Sequence, residues 1–215
     1  MQAKHTLIID QPEDVQSALS RLGVARDQVK QIAQAAAFAR AEYLHNVDPI
    51  NAAGSKAYNA GVRHMRLLMM ADGWRSARHH NIEVVLNLEN GIMFGFQNVD
   101  KACTEDSPKA ISEKGSGFRD LISRSYRSDL FNPENSDEKR MPDALIPAIW
   151  LICVSSSPNI LQVEISRPKP FEYNQFEEFY ERIFIADEPL NNFPFGGNSQ
   201  DIDDDDLEIN ISKKA

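Results

Sequence analysis

Asn81-Ile-Glu-Val-Val-Leu-Asn-Leu-Glu-Asn-Gly-Ile-Met-Phe-Gly-Phe96 changes the period of the chain. Ile82, Val84, Leu86 and Leu88 alternate with Glu83, Val85 and Asn87, and Ile92, Phe94 and Phe96 resume the alternation after Asn90-Gly91. Period two is the repeat of a strand. An Asn-Gly pair between two such runs predicts a β-hairpin, because both turn residues tolerate positive φ.

Upstream of residue 81 the repeat is helical. Asp10-Gln-Pro-Glu13 predicts a helix start with Asp10 as cap and Pro12 in the first turn. Val15, Leu19 and Leu22 follow at i, i+4 and i+7, and Gly23 is a natural stop. A second helix is expected over residues 27–44, with Val29, Ile32, Ala36, Ala39 and Tyr43 on its apolar stripe. A third is expected over 52–70, with Tyr58, Val62, Met65 and Met69. Pro49 closes the second, since a residue before proline leaves the α region.

Downstream, residues 98–117 read as loop and 118–131 as a fourth helix. A second hairpin is expected from 149–154 and 160–165, joined by Ser155-Ser-Ser-Pro-Asn159 and ended by Pro168 and Pro170. Phe176, Phe179, Tyr180 and Ile183 suggest a last helix over 175–184. The expected fold is therefore α+β. N-terminal helices (residues 1–72) pack on or next to a core of two antiparallel hairpins, each with a following helix (73–188). An acidic disordered tail is expected over 189–215.

Charge separates that tail from the body. The chain carries 23 basic and 32 acidic residues, net −9. Residues 187–215 hold eight acids against Lys213 and Lys214, so −6 of it lies there and −3 in residues 1–186. The acids include Asp201, Asp203, Asp204, Asp205, Asp206 and Glu208. A net acidic body argues against non-specific duplex DNA binding, which needs many Lys and Arg near phosphates. Two cysteines, Cys103 and Cys153, are too few for a disulfide framework and predict buried free thiols in a reducing compartment. The longest apolar stretch, 145–154, is too short to span a bilayer, so a cytoplasmic protein without membrane attachment is expected.

Chemical motifs are sparse. Nucleophile elbows are missing, and His79-His80 point to opposite faces of a strand, a poor geometry for chelation. Lys114 with Gly115-Ser-Gly117 suggests a phosphate cradle at a helix start, against plain loop flexibility. Arg63, Arg66, Arg75, Arg78, Arg119, Arg124 and Arg127 suggest basic patches, against a solvated face balanced by acids.

Asp143, Glu164 and Lys169 form the remaining constellation. An Asp near one strand start and a Glu on the next are placed to hold Mg²⁺, with a lysine to orient water. Over residues 142–166 this resembles a restriction-endonuclease-like core, and it departs from it where Ser166 stands in the lysine position. The competing assignment makes Asp143 a turn cap and pairs Glu164 with Arg167 or Arg182 on the sheet surface.

Two functions follow. The first is a non-enzymatic interaction protein that binds a protein partner, a basic one in particular, with the acidic tail as electrostatic arm and no cofactor. The second is a Mg²⁺-dependent phosphodiesterase acting on nucleic acid through Asp143 and Glu164.

Overall fold

The computed structural model describes residues 6–79, 81–130 and 147–190, the side chains of 126–130 excepted. The described elements run β1 (Leu7–Ile9), α1 (Pro12–Leu22), α2 (Arg26–Ala41), α3 (Ala52–Ala71), β2 (Arg75–His79), β3 (Ile82–Asn87), β4 (Ile92–Asn98), α4 (Ser116–Leu130), β5 (Ala148–Ser156), β6 (Ile160–Pro168) and β7 (Phe179–Pro189). All seven strands form one sheet in the order β1-β7-β6-β5-β4-β3-β2. The architecture is α+β, with one mixed sheet in place of two separate hairpin-and-helix units.

Both predicted hairpins exist within that sheet. β3 pairs antiparallel with β4, and β5 with β6. The surprise is their junction. β4 and β5 pair in parallel, Phe94 opposite Trp150 and Asn98 opposite Val154, so the two hairpins are neighbours. Parallel neighbours need a crossover, and α4 supplies it. Each hairpin is also extended to three strands, by β2 on one side and β7 on the other.

The expected last helix is a strand. Residues 179–189 pair along nearly all of β6, with shifts of register near Val163 and Arg167. Phe179, Tyr180 and Ile183 fit a helical stripe, yet Phe179, Glu181, Ile183 and Ile185 alternate equally well with Tyr180, Arg182 and Phe184. Aromatic and β-branched enrichment favours the strand, and both faces of β7 are covered. The short run 7–9 becomes β1, parallel to β7.

Local details refine the termini. Gln11, not Asp10, occupies the cap position of α1, and no side chain caps it there. Gly23 ends α1 in the left-handed region at φ 70°. The first hairpin turns through residues 88–91, because Asn87 pairs with Ile92. Asn87 Oδ1 accepts from the N–H groups of Glu89 and Asn90, and only Gly91 of the predicted pair has positive φ.

Two cores flank the sheet. Helices α1, α2 and α3 cover one face, where Leu19, Ile32, Ala36 and Met65 meet Phe94, Trp150, Val163 and Ile183. The alanines of α2 let α3 approach closely, and Gly61 of α3 receives the ring of Phe96. Ion pairs Arg21–Glu181 and Lys30–Glu188 join α1 and α2 to β7. The opposite face holds Met93, Leu151 and Cys153 under α4 and the segments 99–114 and 169–178, with Phe171 edge-on to Phe176 and Phe176 tilted against Phe179. No helix among the described residues is long and apolar enough to cross a membrane.

Candidate functional site: a cleft at the end of strand β4

The parallel pair sets the location. β4 ends at Asn98, and the chain turns there into residues 99–115 before entering α4. Asn98 Nδ2 donates to the carbonyl of Gly54 at 3.0 Å, which ties the end of β4 to the first turn of α3. Ile111 N–H donates to the carbonyl of Asn98 at 3.1 Å, which ties it to the segment before α4. The first turns of α3 and α4 are thereby brought to one end of the sheet.

Between them lies a cleft of about 820 Å³. Gly54 and Ser55 of α3 and Asn51 at its cap line it, with Gly117 and Phe118 of α4, Gly115 just before it, and Phe96, Gln97 and Asn98 of β4. No side chain caps α3, and with Ala52 N–H donating to the Pro49 carbonyl at 2.8 Å, the Ala53 and Gly54 N–H groups are the first-turn donors that keep partial positive charge. The volume falls in the range of ligand-binding sites and suits a short segment better than a single ion.

Two cations face this space. The side chain of Arg40, near the end of α2, makes no hydrogen bond or ion pair among the described residues, and its Nε is buried without a partner. Lys114 is largely buried, and its Nζ lies 5.3 Å from the centroid of the Phe118 ring. No carboxylate among the described residues contacts it. Burial is the main cause that pushes its pKa down to about 8, with Cys153 acting weakly the other way. Glu113, exposed, is the acid on the lining. A guanidinium atom without an acceptor is costly to bury, which favours an incoming anion.

The Lys114-Gly115-Ser-Gly117 signal therefore sits on the wall of the cleft. Arg40 carried no sequence signal, as a lone arginine on an amphipathic helix looks like any solvated one. Exposed apolar groups complete the wall: Ile50 is 96% and Ile111 54% exposed.

Glu164 stands elsewhere, under the second face of the sheet. Its Oε1 accepts from Arg182 Nε at 2.8 Å and from Ser166 Oγ, and its Oε2 from Arg182 Nη2 at 2.7 Å and Cys103 N–H at 2.8 Å. The arginine partner is Arg182, as the competing assignment had it, but the pair is buried instead of lying on the surface. Asp143, the other member of the candidate metal pair, lies outside the described residues. Lys169 pairs with Glu178 at 2.7 Å and lies over the Tyr180 ring. Among the described residues, no three His, Cys, Asp or Glu side chains gather to hold a metal.

The arginine patches are matched by acids in part, and Arg63 and Arg75 stay exposed with no acid partner among the described residues. Arg66 and Arg78 both engage Glu83, and Arg124 engages Asp120. Arg119 donates to the carbonyls of Lys114 and Tyr173, bracing the cleft wall. The side chain of Arg127 and residues 201–208 lie outside the described residues. Both cysteines are free, Cys153 buried and Cys103 partly so. No protein-family model matches the chain, and no curated protein or solved structure shows significant similarity to it.

Proposed function

We propose that this chain is a recognition protein whose cleft at the end of β4 binds an acidic, apolar-flanked segment of a protein partner. The observation that carries this reading is the pair Arg40 and Lys114: two cations that line one cleft, neither with an acid partner among the described residues. The uncapped first turn of α3 adds donors for carboxylates. Ile50 and Ile111 offer apolar contact beside the charges. Charge brings the partner in, and apolar burial supplies residence time.

The reading is non-enzymatic. Nothing in the described lining pairs a nucleophile with a base, and the acidic stretch 201–208 remains a second interaction element.

The test is a fluorescence anisotropy titration with a labelled peptide of consecutive aspartates flanked by isoleucines. Its asparagine counterpart serves as control. The protein carries Asp203→Asn, Asp204→Asn, Asp205→Asn and Asp206→Asn, so that its own acids do not enter the measurement. We expect the acidic peptide to bind with a Kd of roughly micromolar order, weakened by salt, and the asparagine peptide to bind at least roughly tenfold more weakly. Equal binding of the two peptides, or binding of neither, refutes the reading.

A further inference from the structure

We infer that the open edge of β2 is a second docking surface, which takes an extended acidic segment of a partner protein as an added strand. The inference stands apart from the cleft at the end of β4.

Topology supplies the template. β2 is the last strand of the sheet, and among the described residues it pairs only with β3. Alternate N–H and C=O groups on its outer side are therefore open to an incoming chain. β1 ends the other side of the sheet, but it spans three residues against five in β2.

Helix α3 turns that edge into a groove. Trp74 N–H donates to the Met69 carbonyl at 3.2 Å, and Arg66 Nη2 lies 3.4 Å from the Ala77 carbonyl, so α3 runs back alongside β2. A space of about 570 Å³ lies there, lined by Val62, Arg63, Arg66, Leu67, Met70 and Glu83 among others. Leu67 and Met70 are exposed and give it an apolar wall.

Charge names the occupant. The groove lining and β2 together hold Arg63, Arg66, Arg75 and Arg78 against one acid, Glu83, which engages Arg66 and Arg78. Arg66 keeps a buried Nε without a partner. Asp72, the acid nearest in sequence to β2, accepts from Gln28. Arg75 stands at the start of β2, and Arg63 lies toward its other end, because α3 and β2 run antiparallel. A second copy of this chain would bring two more arginines to the ladder, so like charge opposes pairing of β2 with itself. Nucleic acid would meet the arginines, but it has no amide backbone for the edge, and Leu67 and Met70 offer its bases no ring to stack on. An extended peptide with acids at its ends and apolar residues between them meets the edge, the charge and the apolar wall together.

The test is a titration of a labelled peptide, Val-Thr-Val flanked on each side by two glutamates. The protein is the full chain with asparagine at 203–206, with and without Arg40→Met/Lys114→Met, so that the cleft is separated from the edge. We expect the two Kd values to agree within roughly twofold. Amide exchange in β2 should slow on binding. The glutamine counterpart of the peptide, and an Arg63→Gln/Arg75→Gln variant with an unchanged thermal melt, should each weaken binding at least roughly fivefold. Absence of binding, or binding without protection of β2, overturns the inference. Loss of binding with the cleft charges also overturns it and leaves the cleft as the partner site. A thymidine oligonucleotide that binds more tightly than the peptide assigns the arginines to phosphate and overturns it as well. Binding at β2 in a chain whose cleft ignores the aspartate peptide removes the function proposed above and leaves this inference standing.

Discussion

Arg182 of β7 grips Glu164 of β6 through two hydrogen bonds, at 2.8 and 2.7 Å, with both side chains at most 1% exposed. The pair also reaches beyond the sheet. Glu164 accepts from the Cys103 N–H, and Arg182 Nη1 lies 3.4 Å from the Glu105 carbonyl. It therefore fastens the segment that leads from β4 toward the cleft. Removing one partner strands a buried charge. We expect Arg182→Met to cost about 3–5 kcal/mol in urea unfolding, and Glu164→Leu added to it to recover most of that loss. Amide exchange near Cys103 should accelerate in the single variant more than in β5.

Gly61 is a second tight point. A Cβ added there would overlap the buried Phe96 ring. Gly61→Ala should destabilise by roughly 1–3 kcal/mol despite the better helix propensity of alanine. Phe96→Leu in the same chain should relieve part of the clash. Thermal melts of the two single variants and the double variant give the coupling.

The thiols should be inert. Burial chiefly, with the nearby Glu164 carboxylate, pushes Cys103 up to about 12 and Cys153 well above the usual thiol range. Thiolate is the reactive form, so neither should be alkylated appreciably at pH 8 in the folded protein. Both should react on addition of denaturant. Mass spectrometry of iodoacetamide adducts, with and without urea, checks this.

Lys114 links stability to binding with opposite signs. Its pKa falls from 10.5 to about 8, so the folded protein pays to charge it. Below pH 8 both folded and unfolded chains hold the proton, and the cost is fully present. It is relieved as pH rises from 8 toward 10.5. Cys153 on β5 faces Lys114 with a thiol that burial keeps protonated, and Arg40 adds a second cation across the cleft. Lys114→Met should therefore stabilise the fold at pH 7, on the order of 1–3 kcal/mol, while weakening acidic ligands. In wild type, ligand affinity should fall as pH rises through 8, and binding near pH 8 should take up protons in calorimetry.

Much of this fold is local and so legible in the sequence. The stripes of α1–α3, the stop at Gly23 and the two hairpins rest on contacts within a few residues. The parallel β4–β5 joint and the β1–β7 pair are long-range, and no periodicity announces which strand edges meet. The apolar residues of β7 satisfy both periods, and only pairing with β6 along its length decides for the strand. The cleft was half visible. Glycines beside Lys114 marked one wall, but Arg40 enters it only because α2 and α4 converge on the end of β4.

The direct test of the cleft is the Arg40→Met/Lys114→Met double variant, made in the chain with asparagine at 203–206 and titrated with the acidic peptide. Methionine keeps the aliphatic stems packed while removing both charges. Affinity should drop by roughly 100-fold, and its salt dependence should flatten, while the thermal melt stays at or above that of the parent. An affinity within twofold of the parent in a fully folded double variant would contradict an acid-binding cleft at the end of β4.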